Sequence, residues 1–144
     1  MNRIVVGVDG SSHSLVALHW ACREAQLRGD SVEIVSAWRV PVANYEVASQ
    51  VASQELVEAI QGAAADAVKA ATEEVKRLAP ELSVTAGVDE GQPACILVEC
   101  AKGADLLVVG SRGLGIFMAL LLRSVSQECS RHSPVPIVIV RSEP

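Results

Sequence analysis

The chain has 144 residues, half of them hydrophobic and only 3% aromatic. That is enough to fold as a single domain, residues 1–144, without a disulfide or metal staple, with Ala, Val and Leu filling close helix-on-sheet layers. Seventeen acidic against twelve basic residues give a formal charge of −5 with no basic run, which argues against nucleic acid or an anionic membrane as a partner.

The opening Met1-Asn2-Arg3-Ile4 runs directly into a strand pattern, so no leader peptide is expected. The apolar stretches fall far short of the ~20 residues that span a bilayer. Ile4-Val5-Val6-Gly7-Val8 suits a strand buried on both faces and ends at Asp9-Gly10-Ser11-Ser12. Ser11 or Ser12 can cap the following helix, where Leu15, Leu18, Cys22 and Ala25 recur at helical spacing up to Gly29. Val32 to Trp38 supplies a second strand. Gln50 to Ala79 is Ala-, Glu- and Lys-rich and predicts a long helix, with Leu56, Ile60, Ala63, Ala67, Ala70 and Val75 as its apolar face and Gly62 as a candidate bend.

Leu82 to Val88 reads as a third strand whose polar alternation suits an edge. Pro93 fits a first helical turn, and Ala94, Leu97, Val98 and Ala101 give that helix an inward stripe closed by Gly103. Ala104 to Gly110 is the best candidate for a central strand. Ser124 to about Arg131 predicts a last helix, and Ile137-Val138-Ile139-Val140 a fifth strand at a sheet edge. Alternating strands and helices predict a sheet covered on both faces, with right-handed crossovers making it mostly parallel. Cys22, Cys95, Cys100 and Cys129 form no Cys-x-x-Cys pair. Each reads as a small hydrophobe in a reducing compartment, which makes the cytoplasm the expected location.

Open parallel sheets bind ligands beyond the carboxyl ends of their strands, where strand order reverses. Two glycine-containing strand exits suit such a site. They are Asp9-Gly10-Ser11-Ser12 and Gly110-Ser111-Arg112-Gly113-Leu114-Gly115. Glycines there let backbone N–H groups approach and converge on phosphate oxygens, and the helix start at Arg123-Ser124-Val125 offers a further anion site. The plain alternative is that the glycines only turn the chain and Ser124 only caps a helix. The P-loop lysine motif, an early dinucleotide fingerprint and a Gly-x-Ser-x-Gly elbow are all absent. Arg112 can contact phosphate or remain a solvated charge. Asp9 can hold ribose or Mg²⁺, or stabilise its turn. Neither identifies a metal site, and no residue is assigned a catalytic role.

The run Gly110-Ser111-Arg112-Gly113, nine residues, then Arg123-Ser124, together with Pro134 to Val140 and Ile4 to Ser11, resembles the universal stress protein family. Its nucleotide-binding members carry Gly-x-x-Gly, nine residues, then Gly-Ser or Gly-Thr. The resemblance covers the whole chain, most weakly at 39–55. It implies a three-layer α/β/α domain of the adenine-nucleotide α-hydrolase-like kind with five strands, usually homodimeric. It further implies ATP, with or without Mg²⁺, as ligand. Asp9 and the backbone at Ala37 and Val109 would surround the adenosine, Gly110 and Gly113 would lie near ribose or phosphates, and Ser124 and Val125 at the phosphate tail.

This chain departs from the pattern at Arg123, where the last motif glycine belongs. The side chain either fills the phosphate space or swings over the cleft and pairs with phosphate through its fork of donors. Two functions follow as expectations: an ATP-binding regulatory or stress-response protein without rapid turnover, or a nucleotide-free dimeric stress or interaction protein. Slow ATP hydrolysis ranks behind both, since no base is evident. The β-branched strand Ile137–Val140 is the expected homodimer surface, and a regulatory protein partner fits either function.

Overall fold

A computed structural model describes residues 2–40, 54–111 and 125–141. In chain order the elements are β1 (Arg3–Gly7), α1 (Ser12–Arg28), β2 (Ser31–Trp38), α2 (Gln54–Leu78), β3 (Val84–Glu90), α3 (Pro93–Ala101), β4 (Leu106–Gly110), α4 (Val125–His132) and β5 (Ile137–Val140). The five strands form one sheet in the order β3-β2-β1-β4-β5. Every ladder is parallel, so the sheet is wholly rather than mostly parallel.

The apolar runs become the central strands because alternate side chains must be buried on opposite faces. Ile4 and Val6 of β1, Val32 and Ile34 of β2, and Leu106 and Val108 of β4 meet α1 and α2 in one core. Val5, Val35, Leu107 and Val109 turn the other way and meet α3 and α4 in a second. Helices therefore cover both faces. Gly7 lies on the second face, and an added Cβ there would stand 2.8 Å from Leu97 Cδ1. The missing side chain is what lets α3 settle against β1.

Ser11 caps α1 by accepting from the Ser14 N–H, and the Gly29 N–H closes the helix on the Ala25 carbonyl. At the N-terminal pole of the sheet, Arg3 ties several elements together. Its guanidinium pairs with Glu33 of β2 and donates to the carbonyls of Cys100 (2.9 Å) and Lys102 (3.0 Å), the exposed end of α3. Its backbone N–H donates to Asp105 Oδ2 at 2.9 Å. Such charge-assisted contacts hold this pole closed, at the opposite end of the sheet from the carboxyl ends of the strands.

Some expectations are corrected in detail. Helix α2 buries Ala64, Ala67, Ala71 and Val75, whereas Ala63 and Ala70 are exposed. Ala67 and Val75 lie on the expected face; consecutive alanines give little hydrophobic contrast, so at 63 and 70 the buried position is the next residue, Ala64 and Ala71. The helix runs unbroken through Gly62. Strand β3 begins at Val84 and reaches Glu90, because Leu82 is held in a turn by the Ala79 carbonyl. The cysteines divide: Cys22 and Cys129 are buried, Cys100 is intermediate and Cys95 is exposed.

Burial, aided by Glu74, pushes the Cys22 thiol up to about 11; burial, aided by Cys95 and Glu128, pushes Cys129 up to about 12. Both are held as neutral thiols. Folding thus favours the protonated form, a contribution complete below the ordinary value of 9.0 and lost as pH rises toward 11 and 12. At pH 8, iodoacetamide is expected to modify Cys95 first, Cys100 more slowly, and Cys22 and Cys129 only after unfolding. Peptide mass spectrometry reads the order, and early labelling of Cys129 would contradict the packing.

Candidate functional site

The chain runs from β1 outward to β2 and β3, then returns to place β4 on the other side of β1. Strand order therefore reverses between β1 and β4. The β1–β4 ladder ends at Val6↔Val108, while β4 stays paired with β5 through Gly110↔Val140 and β2 with β3 through Trp38↔Glu90. Gly7 and Val109 thus stand where the two inner strands have parted, the position at which open parallel sheets take their ligands.

The wall on the β1 side is a closed hydrogen-bonded loop. Val8 N–H donates to the Val35 carbonyl at 2.9 Å, after which the chain leaves the sheet. Asp9 Oδ1 accepts from the Ser11 N–H at 2.9 Å and from the Ser11 hydroxyl at 2.5 Å. The Ser11 Oγ accepts in turn from the Ser14 N–H at 3.2 Å. The Ser14 hydroxyl donates to the Ser11 carbonyl at 3.0 Å and accepts from the Asp9 N–H at 3.3 Å. Gly10 between them has φ +84°, a conformation that a side chain resists. Space is not the constraint, since an added Cβ would meet Ala67 of α2 only at 3.6 Å.

This network leaves one atom over. Asp9 Oδ2 is buried and has no hydrogen-bond partner among the described residues. A buried carboxylate oxygen without a donor is costly. An ionised carboxylate oxygen accepts and cannot donate, so an N–H or O–H donor or a cation would satisfy it.

The other predicted site residues fall on both sides of this description. Ala37 near the end of β2, Val109 and Gly110 at the end of β4, and Val125 in the first turn of α4 all stand at the carboxyl end of the sheet with Asp9. Val109 is buried in the core under α3 and α4, and the partly buried Val125 packs against that core. The Ser111 N–H is taken by the Val140 carbonyl at 2.9 Å, so that donor is spent on the sheet. Arg112, Gly113, Arg123 and Ser124 lie outside the described residues. Among those described, no group of three or more His, Cys, Asp or Glu side chains could hold a metal ion, and no helix is long and apolar enough to cross a membrane. Sequence reading missed Ser14. Its signal was the spacing Asp9-x-Ser11-x-x-Ser14, a hydroxyl three residues into a helix behind an acidic turn.

An all-parallel five-stranded α/β/α sheet with its strand order reversing at this point is the adenine-nucleotide α-hydrolase-like fold. The universal stress protein family matches residues 1–141, and the chain belongs to that family. A universal stress protein of Mycobacterium tuberculosis is 32% identical over 96% of this chain, which spans 44% of that relative. The chain is thus about half the length of the curated relatives it first matches. A universal stress protein of Thermus aquaticus is 31% identical, over 96% of this chain and 97% of its own length. Among solved structures, a universal stress protein in complex with cAMP is 28% identical and superposes with a TM-score of 0.73, covering 99% of this chain and 98% of its own.

Proposed function

We propose that this chain is an ATP-binding regulatory protein of the stress response, cytoplasmic and without rapid turnover. The observation that carries the reading is Asp9 Oδ2, a buried acceptor left over by its own loop at the crevice between β1 and β4. The nucleoside part of a nucleotide offers the N–H and O–H donors it lacks. The cAMP complex of a relative 28% identical supports an adenine nucleotide as the ligand class. In this reading Asp9 and the backbone at Ala37 and Val109 surround the adenosine. Gly110, Arg112, Gly113, Arg123, Ser124 and Val125 line the path of the phosphates, where Mg²⁺ accompanies the ligand. The sequence offers phosphate ligands but no evident base, so the reading is of binding without rapid turnover.

Titrating the protein with ATP and Mg²⁺ by calorimetry tests this reading. Heat that saturates is expected; none at millimolar nucleotide would sink it and leave the nucleotide-free alternative. Arg123→Gly then decides the role of that side chain, with tighter binding marking an obstruction and weaker binding a clamp.

A homodimer through β5 is part of the proposal. The sheet has two edges, and β3 is polar and open, carrying Thr85, Asp89 and Glu90. The other edge, β5, is four β-branched residues with Ile139 40% exposed. An apolar edge strand invites pairing with a second copy of itself. Ile139→Lys is expected to convert a dimer to a monomer in sedimentation equilibrium while keeping the fold. A wild-type chain that is monomeric at high concentration would remove this interface.

A further inference from the structure

We infer that Ser14 is a positioning residue for ligand binding, acting through Asp9. The inference rests on the nucleotide reading above and adds a residue to it. Ser14 is only 6% exposed, so its hydroxyl works inside the protein. At the third position of α1 a side chain commonly reaches back to the cap residue's own N–H. Here the Ser11 N–H is already taken by Asp9 Oδ1 at 2.9 Å. Ser14 Oγ instead accepts from the amide two residues further back, the Asp9 N–H at 3.3 Å.

The consequence is a closed circuit. Asp9 is held at its carboxylate by Ser11 and at its main chain by Ser14. Ser11 is held to Ser14 twice, through its hydroxyl at 3.2 Å and its carbonyl at 3.0 Å. Every donor in the circuit has one acceptor: the Asp9, Ser11 and Ser14 N–H groups and both hydroxyls. The carboxylate can neither rotate to share its two oxygens nor lift with its backbone, so Oδ2 stays without a partner among the described residues. Without the Ser14 hydroxyl, the Asp9 N–H loses its acceptor and the Ser11 carbonyl one of its donors. The cap from Ser11 Oγ to the Ser14 N–H survives, because it uses the main chain of residue 14. Loss of the hydroxyl therefore separates the aim of Asp9 from the start of the helix.

The experiment uses the full chain with ATP as probe. Ser14→Ala is expected to weaken binding about ten-fold, the loss of one buried hydrogen bond that orients a charged ligand contact. Ser14→Thr keeps the hydroxyl and is expected to restore most of the affinity. In an Asp9→Ala background, Ser14→Ala is expected to cost nothing further, a non-additivity that general destabilisation does not produce. Hydrogen exchange of the ligand-free protein gives a second readout: the Asp9 amide exchanges faster in Ser14→Ala while the Val5 and Val6 amides do not change. Wild-type affinity in Ser14→Ala, an additive loss with Asp9→Ala, or an unchanged Asp9 amide would each overturn the inference. If wild type gives no heat with ATP but the Asp9 amide still loosens, the nucleotide reading fails and the loop lock stands.

Discussion

Asp9→Ala is expected to weaken ATP binding by roughly ten- to a hundred-fold, the range for losing hydrogen bonds to a charged group. Two contributions lie behind that figure. Oδ2 is the acceptor left over at the crevice, and Oδ1 organises Ser11 through two hydrogen bonds. Asp9→Asn separates them. The amide oxygen can still accept from the Ser11 N–H and hydroxyl, so the loop survives, but an NH₂ group now stands where Oδ2 stood. A donor facing a donor repels rather than binds. Asparagine is therefore expected to match alanine in calorimetric affinity while matching wild type in thermal stability. If Asp9→Asn bound ATP as wild type does, Asp9 would be a turn-forming residue only.

The second large effect falls on stability. Gly7→Val is expected to cost about 2–3 kcal/mol in urea unfolding, typical of overpacking a dense core. The added Cβ would stand 2.8 Å from Leu97 Cδ1 and 3.0 Å from Cδ2. Leu97 is only 5% exposed and packs among Val5, Val109 and Cys129, leaving it little room to turn aside. Helix α3 must then shift or Leu97 leave its rotamer. Truncating the neighbour supplies the control: Leu97→Ala is destabilising alone through the cavity it leaves, but the double variant should be less unstable than the sum of the two. Strict additivity would show that Gly7 is needed for some reason other than the approach of α3.

The architecture was legible because its signals are redundant. Ile4-Val5-Val6 and Leu106 to Val109 are too continuously apolar for anything but strands buried on both faces, and each strand is followed by a helix pattern. Phase inside a helix was less legible where contrast is low. In α2, alanine at 63, 64, 65, 67, 70 and 71 fits more than one face, and only packing chose 64, 67 and 71. Cys95 looked like its three counterparts because composition does not separate a cysteine on the outer side of a helix from one on the inner side. Strand exits were legible through Asp9-Gly10 and Gly110. The unpaired state of Oδ2 was not, since it depends on which of two oxygens Ser11 takes. Ser14 was overlooked for the same reason: hydrogen-bond partners within a loop are set by backbone direction rather than by residue type.

The most direct test of a nucleotide crevice between β1 and β4 is to map amide chemical shifts during an ATP titration. The amides of Asp9, Gly10, Ala37, Val109, Gly110 and Val125 are expected to move together and saturate, while Arg3, Lys102 and Asp105 at the far end of the sheet stay in place. Shifts centred on that far end, or no movement anywhere at millimolar ATP, would contradict the site.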